Sequence, residues 1–194
     1  MALMSEAMKH PVTSLAGQLL IAMPQMQDRR FTRSVIFLCA HNEEGAMGLV
    51  VNKIIDTVTL PELLEKLGIP SLGLNARRPV HAGGPVEEGR GFVLHSDDYR
   101  EDNTLVVGSV GLTATLDILR AIGRGQGPRR SMLALGYAGW GPGQLDTEMS
   151  DNGWLHVPAD EAIVFDEDIA DKWQRALAKL GIDPLSLSGE AGHA

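Results

Sequence analysis

The stretch Ser131-Met132-Leu133-Ala134-Leu135-Gly136-Tyr137-Ala138-Gly139-Trp140-Gly141-Pro142-Gly143 decides how the chain is read. Its first five residues are an apolar run of strand length that enters directly from a Gly-Pro turn and an arginine pair, which marks a strand of the buried type. The next eight hold four glycines and a proline. Such density costs backbone entropy unless special torsions or close backbone contacts are needed. Tyr137 and Trp140 place flat, amphipathic rings beside accessible amides. Two readings stay open: a ligand cradle or partner-binding ridge, and a tight packed bend with both rings in the core.

Working outward, apolar runs rich in β-branched residues recur between turn signals. Residues 17–23, 34–40 and 47–52 read as the first strands, with His41 to Gly45 as a connecting loop too long for a two-residue turn. Thr59 and Glu62 have capping-box spacing, Pro61 sits in the first turn, and Leu60, Leu63, Leu64 and Leu67 form one stripe ended by Gly68, which predicts a helix. Residues 79–82, 91–95 and 104–107 are short strands. Thr113 is positioned to cap a helix with the stripe Leu116, Leu119 and Ile122, stopped by the glycines and proline of 123–128. Residues 142–149 suit one or two helical turns, and 154–157 and 162–165 read as late strands. A final amphipathic helix carries Ile169, Trp173, Ala176, Leu177 and Leu180 and closes at Gly181. Strands and helices interleave too irregularly for a doubly wound fold. The expected class is α+β, a complex single domain with a mixed, barrel-like curled sheet and helices packed outside. The expected boundaries are a lead-in over 1–14, the domain over 15–185 and a loose tail over 186–194.

The chain has 194 residues, enough for one well-filled core. Its single cysteine, Cys39, cannot form an internal disulfide and suits a reducing, cytoplasmic setting. No secretory signal is visible at the N-terminus, and the apolar run 19–23 is far too short for a bilayer. Net charge is −8, and residues 131–171 carry no Lys or Arg against nine acidic residues. Such a surface repels phosphate backbones, so direct DNA binding is not expected. The pairs Arg29-Arg30, Arg77-Arg78 and Arg129-Arg130 are the only plausible phosphate contacts.

Known catalytic motifs are missing from the sequence. The spacing Gly123-x-Gly125-x-Gly127 follows a helix instead of opening one, and no P-loop signature occurs. Histidines 10, 41, 81, 95, 156 and 193 form no metal-binding pair, and a structural zinc would need ligands that a lone cysteine cannot complete. No metal, cofactor or assigned catalytic residue is therefore expected. Cys39-x-His41 is the one arrangement suited to nucleophilic chemistry, because residues i and i+2 of a strand share a face. The alternative is that Cys39 is a small buried hydrophobe. His95-Ser96-Asp97 holds triad residue types, yet adjacent side chains on a strand point apart, so a turn is the simpler account.

The run 136–145 resembles the hallmark of the YqgE/AlgH family of bacterial proteins. So do residues 34–53 (from Ser34-Val35-Ile36-Phe37 through His41-Asn42-Glu43-Glu44-Gly45 to Asn52-Lys53), Gly83-Gly84-Pro85-Val86 and Gly91-Phe92-Val93-Leu94-His95-Ser96. The motifs span about 17–187 in the right order, with Asp146 where the family pattern suggests Glu. The resemblance implies a barrel-like α+β fold and cytosolic residence. It implies no assigned activity; some members are labelled transcriptional regulators. The candidate binding surface is His41, Asn42, Gly83, Gly84, His95, Ser96, Tyr137, Trp140 and Gly141. The leading expectation is a non-enzymatic binding or regulatory protein acting through a protein partner or small ligand. The competing one is a thiol-dependent hydrolase or transferase using Cys39 with His41.

Overall fold

The computed structural model describes residues 13–188. Of the expected lead-in and tail, only 13–14 and 186–188 lie within that range, and the latter belong to a short helix. Ten strands form one curled, half-barrel sheet: β1 (Gln18–Ala22), β2 (Val35–Asn42), β3 (Gly45–Val50), β4 (Ile54–Thr59), β5 (Pro79–Ala82), β6 (Val86–Ser96), β7 (Leu105–Val107), β8 (Val110–Thr113), β9 (Ser131–Trp140) and β10 (Trp154–Pro158). The order is β10-β1-β2-β3-β9-β6-β8-β7, with β5 inserted against β9 and β4 against β5. The β5–β9 pair is parallel and the other pairs are antiparallel, so the sheet is mixed as the irregular interleaving implied.

The opening stretch is the hub. One edge of β9 bonds to β6 along its length, while the other bonds first to β5 at Ala134 and Leu135 and then to β3 at Ala138 to Trp140. The change of partner happens at Gly136, whose φ is +75°. Met132 and Ala134 face one core cluster; past the left-handed residue, Tyr137 faces it again while Ala138 and Trp140 turn to the other side. A strand with strict alternation could not do this. Opposite Gly136 lies Gly83-Gly84. A Cβ on Gly83 would sit 2.3 Å from the Gly136 oxygen, one on Gly84 2.1 Å from the Tyr137 carbonyl carbon, and one on Gly136 2.3 Å from the Gly84 oxygen. The Gly83 N–H donates to the Leu135 carbonyl and the Val50 N–H to the Gly83 carbonyl, which welds β3, β5 and β9 together.

Three apolar clusters flank the sheet. The largest joins β1, β2, β3, β6 and β9 to α4 (Glu161–Phe165) and α5 (Lys172–Lys179) through Phe37, Leu94, Val164, Trp173 and Leu177. The second packs Phe31, Trp140 and Trp154 with α3 (Gln144–Ser150) through Leu145. The third seats α1 (Leu60–Lys66) and α2 (Leu116–Gly123) on β5, β6 and β9. A last helix, α6 (Pro184–Ser188), follows. No helix among the described residues is long and apolar enough to cross a membrane.

The capping box of α1 forms as its spacing predicts, with both reciprocal bonds present. Four local expectations are corrected. Residues 162–165 are helical: the Asp160 carboxylate accepts from the Ala162 N–H and starts a turn, which a run of apolar residues cannot signal. Thr115, not Thr113, caps α2, and Leu116 is half exposed, so the buried stripe is Ile118, Leu119 and Ile122. The β2–β3 connection is a two-residue turn at Glu43-Glu44, tightened by a bond from the Glu44 N–H to Asn42 Oδ1. Strands β4 and β8 were not foreseen; β4 is largely exposed and lacks a buried alternating face.

One charge is buried without a carboxylate in contact. Lys172 Nζ donates to the Val51 and Val164 carbonyls, each at 3.0 Å, and tying the end of β3 to α4 in this way places the ammonium in the core. Burial brings its pKa down to about 8. Nearby, neither ring nitrogen of buried His81 makes a hydrogen bond. Burial, then the Lys172 charge, bring that ring down to about 4.

Gly136→Ala combines a left-handed φ with a backbone clash, and is expected to cost roughly 3 kcal/mol. Gly143→Ala, at φ +71° with open space around its Cβ, should cost only about 1 kcal/mol, read in parallel urea titrations. For Lys172 the unfolded chain holds its proton up to about 10.5 while the folded protein releases it near 8. The unfolded state thus binds more protons in that window, so stability rises with pH across it. Lys172→Met should flatten that rise, by up to about 3 kcal/mol, in unfolding curves measured near pH 7.5 and pH 10.

Candidate functional site

The curl of the sheet leaves a groove of about 620 Å³ at the open mouth of the half-barrel. Its apolar surface comes from Met47 on β3, Val86 and Phe92 on β6, Leu112 on β8 and Tyr137 on β9. Exposed Asn42, Glu44 and Arg90 surround it, and Gly45 and Gly139 open its backbone. The Tyr137 and Phe92 rings meet edge to face at 5.8 Å, and the Arg90 guanidinium lies 5.0 Å from the Phe92 ring centre. Burial in strands holds both rings in one orientation, leaving a preformed apolar surface with a cation and an amide beside it.

Two features of the backbone aim these side chains. The Gly136 torsion turns Tyr137 towards the mouth. A bulge in β2 does the same for Asn42: the register moves from Leu38↔Gly48 to Ala40↔Met47, so Cys39 is the extra residue. Cys39 stays in the main core, Ala40 and Asn42 face the groove, and His41 turns to the opposite side. There its Nδ1 accepts from the Leu15 N–H at 3.1 Å and its Nε2 faces Asp146 at 3.4 Å, off the angle of a hydrogen bond. The shared face that the i, i+2 spacing predicts for Cys39 and His41 does not form. Burial pushes the thiol up to about 12, and the Phe37 carbonyl accepts from it at 3.7 Å.

The remaining candidates scatter. His95 is wholly buried. Its Nδ1 lies 2.8 Å from the Ser96 carbonyl, which only accepts, so Nδ1 carries a proton; Nε2 meets the Thr113 hydroxyl at 2.7 Å, which in turn meets Thr104 at 2.8 Å. A Cβ on Gly111 would strike this ring, so that glycine makes room for it. The Ser96 hydroxyl donates to Asp98 and accepts the Arg130 N–H. Gly83 and Gly84 form the backbone junction. Trp140 touches the groove's edge, but the residue is only 6% exposed and its ring packs on Phe31 and Trp154 at 6.4 and 6.0 Å. The Gly141 N–H donates to Gln144 Oε1 at the start of α3. Of the nine candidates, Asn42, Tyr137 and the margin of Trp140 line one groove, and the Trp140 ring also packs in the core as the bend reading expects. Met47, Val86, Arg90, Phe92 and Leu112 were missed, because strands far apart in sequence supply them.

The profile of the AlgH-like family matches residues 19–185. The chain belongs to the AlgH-like family. It is 56% identical to a UPF0301 protein of Methylocella silvestris, with 93% of this chain and 92% of that one aligned, and 57% identical to one of Afipia carboxidovorans, with 94% and 91% aligned. The solution structure of the AlgH protein from Pseudomonas aeruginosa superposes with a TM-score of 0.75 at 42% identity, over 96% of this chain and 99% of that one. A crystal structure from Corynebacterium diphtheriae, at 22% identity and a TM-score of 0.67, covers 94% and 93% and shares the fold.

In this AlgH-like chain the native thiol should resist aromatic disulfide reagents at pH 8 and react fully once denatured. Rapid colour release from native protein would show that Cys39 is not held as described.

Proposed function

We propose that the protein is a non-enzymatic binding protein that takes an apolar or aromatic group into the mouth of the half-barrel. The observation that carries this is the partial exposure of Tyr137, Met47 and Leu112 together along one shallow groove beside Arg90 and Asn42. A cavity of this size suits a small ligand, or a single aromatic side chain of a protein partner. Apolar contact supplies affinity, and the guanidinium favours a ligand with an electronegative end. The sequence's candidate nucleophiles are committed elsewhere. Cys39 sits in the core with a raised pKa, His95 is bonded through both nitrogens, and Ser96 is bonded to Asp98 and Arg130. A regulatory role would follow from ligand- or partner-dependent occupancy of this mouth.

An NMR screen of small aromatic carboxylates should shift the amides of Gly45, Met47 and Gly139 together. Tyr137→Ala should weaken the best binder at least tenfold while leaving the fold intact, since Tyr137 is only partly buried. Shifts that fall elsewhere, or persist unchanged in Tyr137→Ala, would remove the groove from consideration.

A further inference from the structure

A second concavity, of about 480 Å³, lies away from the mouth and gathers four arginines from three parts of the chain: Arg78 before β5, Arg129 and Arg130 before β9, and Arg175 on α5. One arginine of the Arg77-Arg78 pair and both of the Arg129-Arg130 pair thus meet. Arg175 is already engaged, with Asp166 at 2.6 Å and Asp171 at 3.6 Å. Arg129 is only loosely met by Glu161, at 3.7 Å. Arg78 and Arg130 have no ion pair among the described residues; exposed Glu167, the other carboxylate at the cleft, acts on Arg78 only through its charge at longer range.

The free arginines are held in place. Arg78 is half buried; its Nη2 donates to the Ser131 carbonyl at 2.8 Å and hydroxyl at 2.6 Å, and its own carbonyl accepts the Leu60 N–H at the start of α1. Its other guanidinium N–H groups have no protein acceptor among the described residues. The Arg129-Arg130 backbone is pinned from the turn after β6. The Arg129 N–H donates to Asp98 Oδ2 at 2.9 Å, the Arg130 N–H to Ser96 Oγ at 3.0 Å, and the Ser96 N–H to the Arg130 carbonyl at 2.9 Å. The Ser96 hydroxyl and the Arg129 amide hold the Asp98 carboxyl below its usual range, so it stays ionised and keeps this clamp closed.

We propose that this cleft is a binding site for a phosphate dianion, free or as the monoester of a small molecule, with Arg78, Arg129 and Arg130 as its ligands and Ser96 and Asp98 as positioning residues. Guanidinium forks match the oxygens of a tetrahedral dianion, and several can share one phosphate, whereas a monocarboxylate fills a single fork. The volume suits a small molecule. Exposed Glu167 at the cleft repels the further phosphates of a continuous backbone, which favours a compact ligand over a polynucleotide. This site is independent of the groove at the barrel mouth.

The test is calorimetric titration of the full chain with inorganic phosphate and with a nucleoside monophosphate at low ionic strength. Saturable binding of one equivalent is expected, competed by sulfate and not by acetate. Tighter binding of the monoester identifies an esterified ligand; equal binding identifies free phosphate. Arg78→Gln and Arg130→Gln should each weaken it at least tenfold, and Tyr137→Ala should leave it unchanged. Arg130 is exposed, so its variant folds and keeps the test decisive if Arg78→Gln does not. Asp98→Asn should weaken binding several-fold, with Arg129 and Arg130 amide exchange accelerated. Absence of saturable binding of either probe, affinity unchanged in Arg130→Gln, or binding of duplex DNA alone would overturn the proposal.

Discussion

Everything in this molecule depends on the backbone contact between Gly83-Gly84 and Gly136-Tyr137. Two chain segments approach there more closely than any side chain permits, and the left-handed Gly136 lets one strand serve two partners in turn. The contact fixes the curl of the sheet and hence the mouth of the barrel. It also sets which face of β9 carries Tyr137 and which carries Trp140. Steric permission, more than attraction, is the organising quantity: the two backbone bonds of ordinary strength at Gly83 act together because no Cβ stands in the way.

The buried cations belong to the same design. Lys172 ties the end of β3 to α4 through two carbonyls, with no carboxylate in contact and only the more distant charges of Asp166 and Asp171 working against its desolvation. A lysine in this position costs stability on its own account. Its return is in specificity, because the two carbonyls it satisfies belong to segments 113 residues apart and would otherwise lack a shared partner. Arg78 plays a similar part with Ser131 at the cleft.

Much of the fold was legible because local chemistry and global structure agree. The Thr59–Glu62 box, the stop at Gly68 and the apolar strands 34–40 and 131–135 all report themselves. Three of the misses turn on a single residue that resets the local pattern. Cys39 in its bulge puts His41 on the wrong side for the thiol, although the two-residue spacing argued for a shared face. Gly136 likewise divides the aromatics of one motif between groove and core. Asp160 converts an apolar run into a helical turn by accepting one N–H. The groove was only partly visible, since Phe92, Leu112 and Met47 read as ordinary core residues until the sheet closes around them. The arginine pairs were visible as pairs, but their meeting depends on the pinning of one of them by Ser96 and Asp98.

The central place of β9 also has a consequence for how the chain acquires its structure. During synthesis, β3, β5 and β6 are all made before residue 131, and each must wait with one hydrogen-bonding edge open for the strand that joins them. The most numerous contacts are thus between segments distant in sequence, a topology that folds slowly and leaves unpaired edges exposed in the meantime. A nascent chain that has emerged only as far as α2 carries three such edges, so the interval before β9 leaves the ribosome is when this protein most needs shielding from its neighbours.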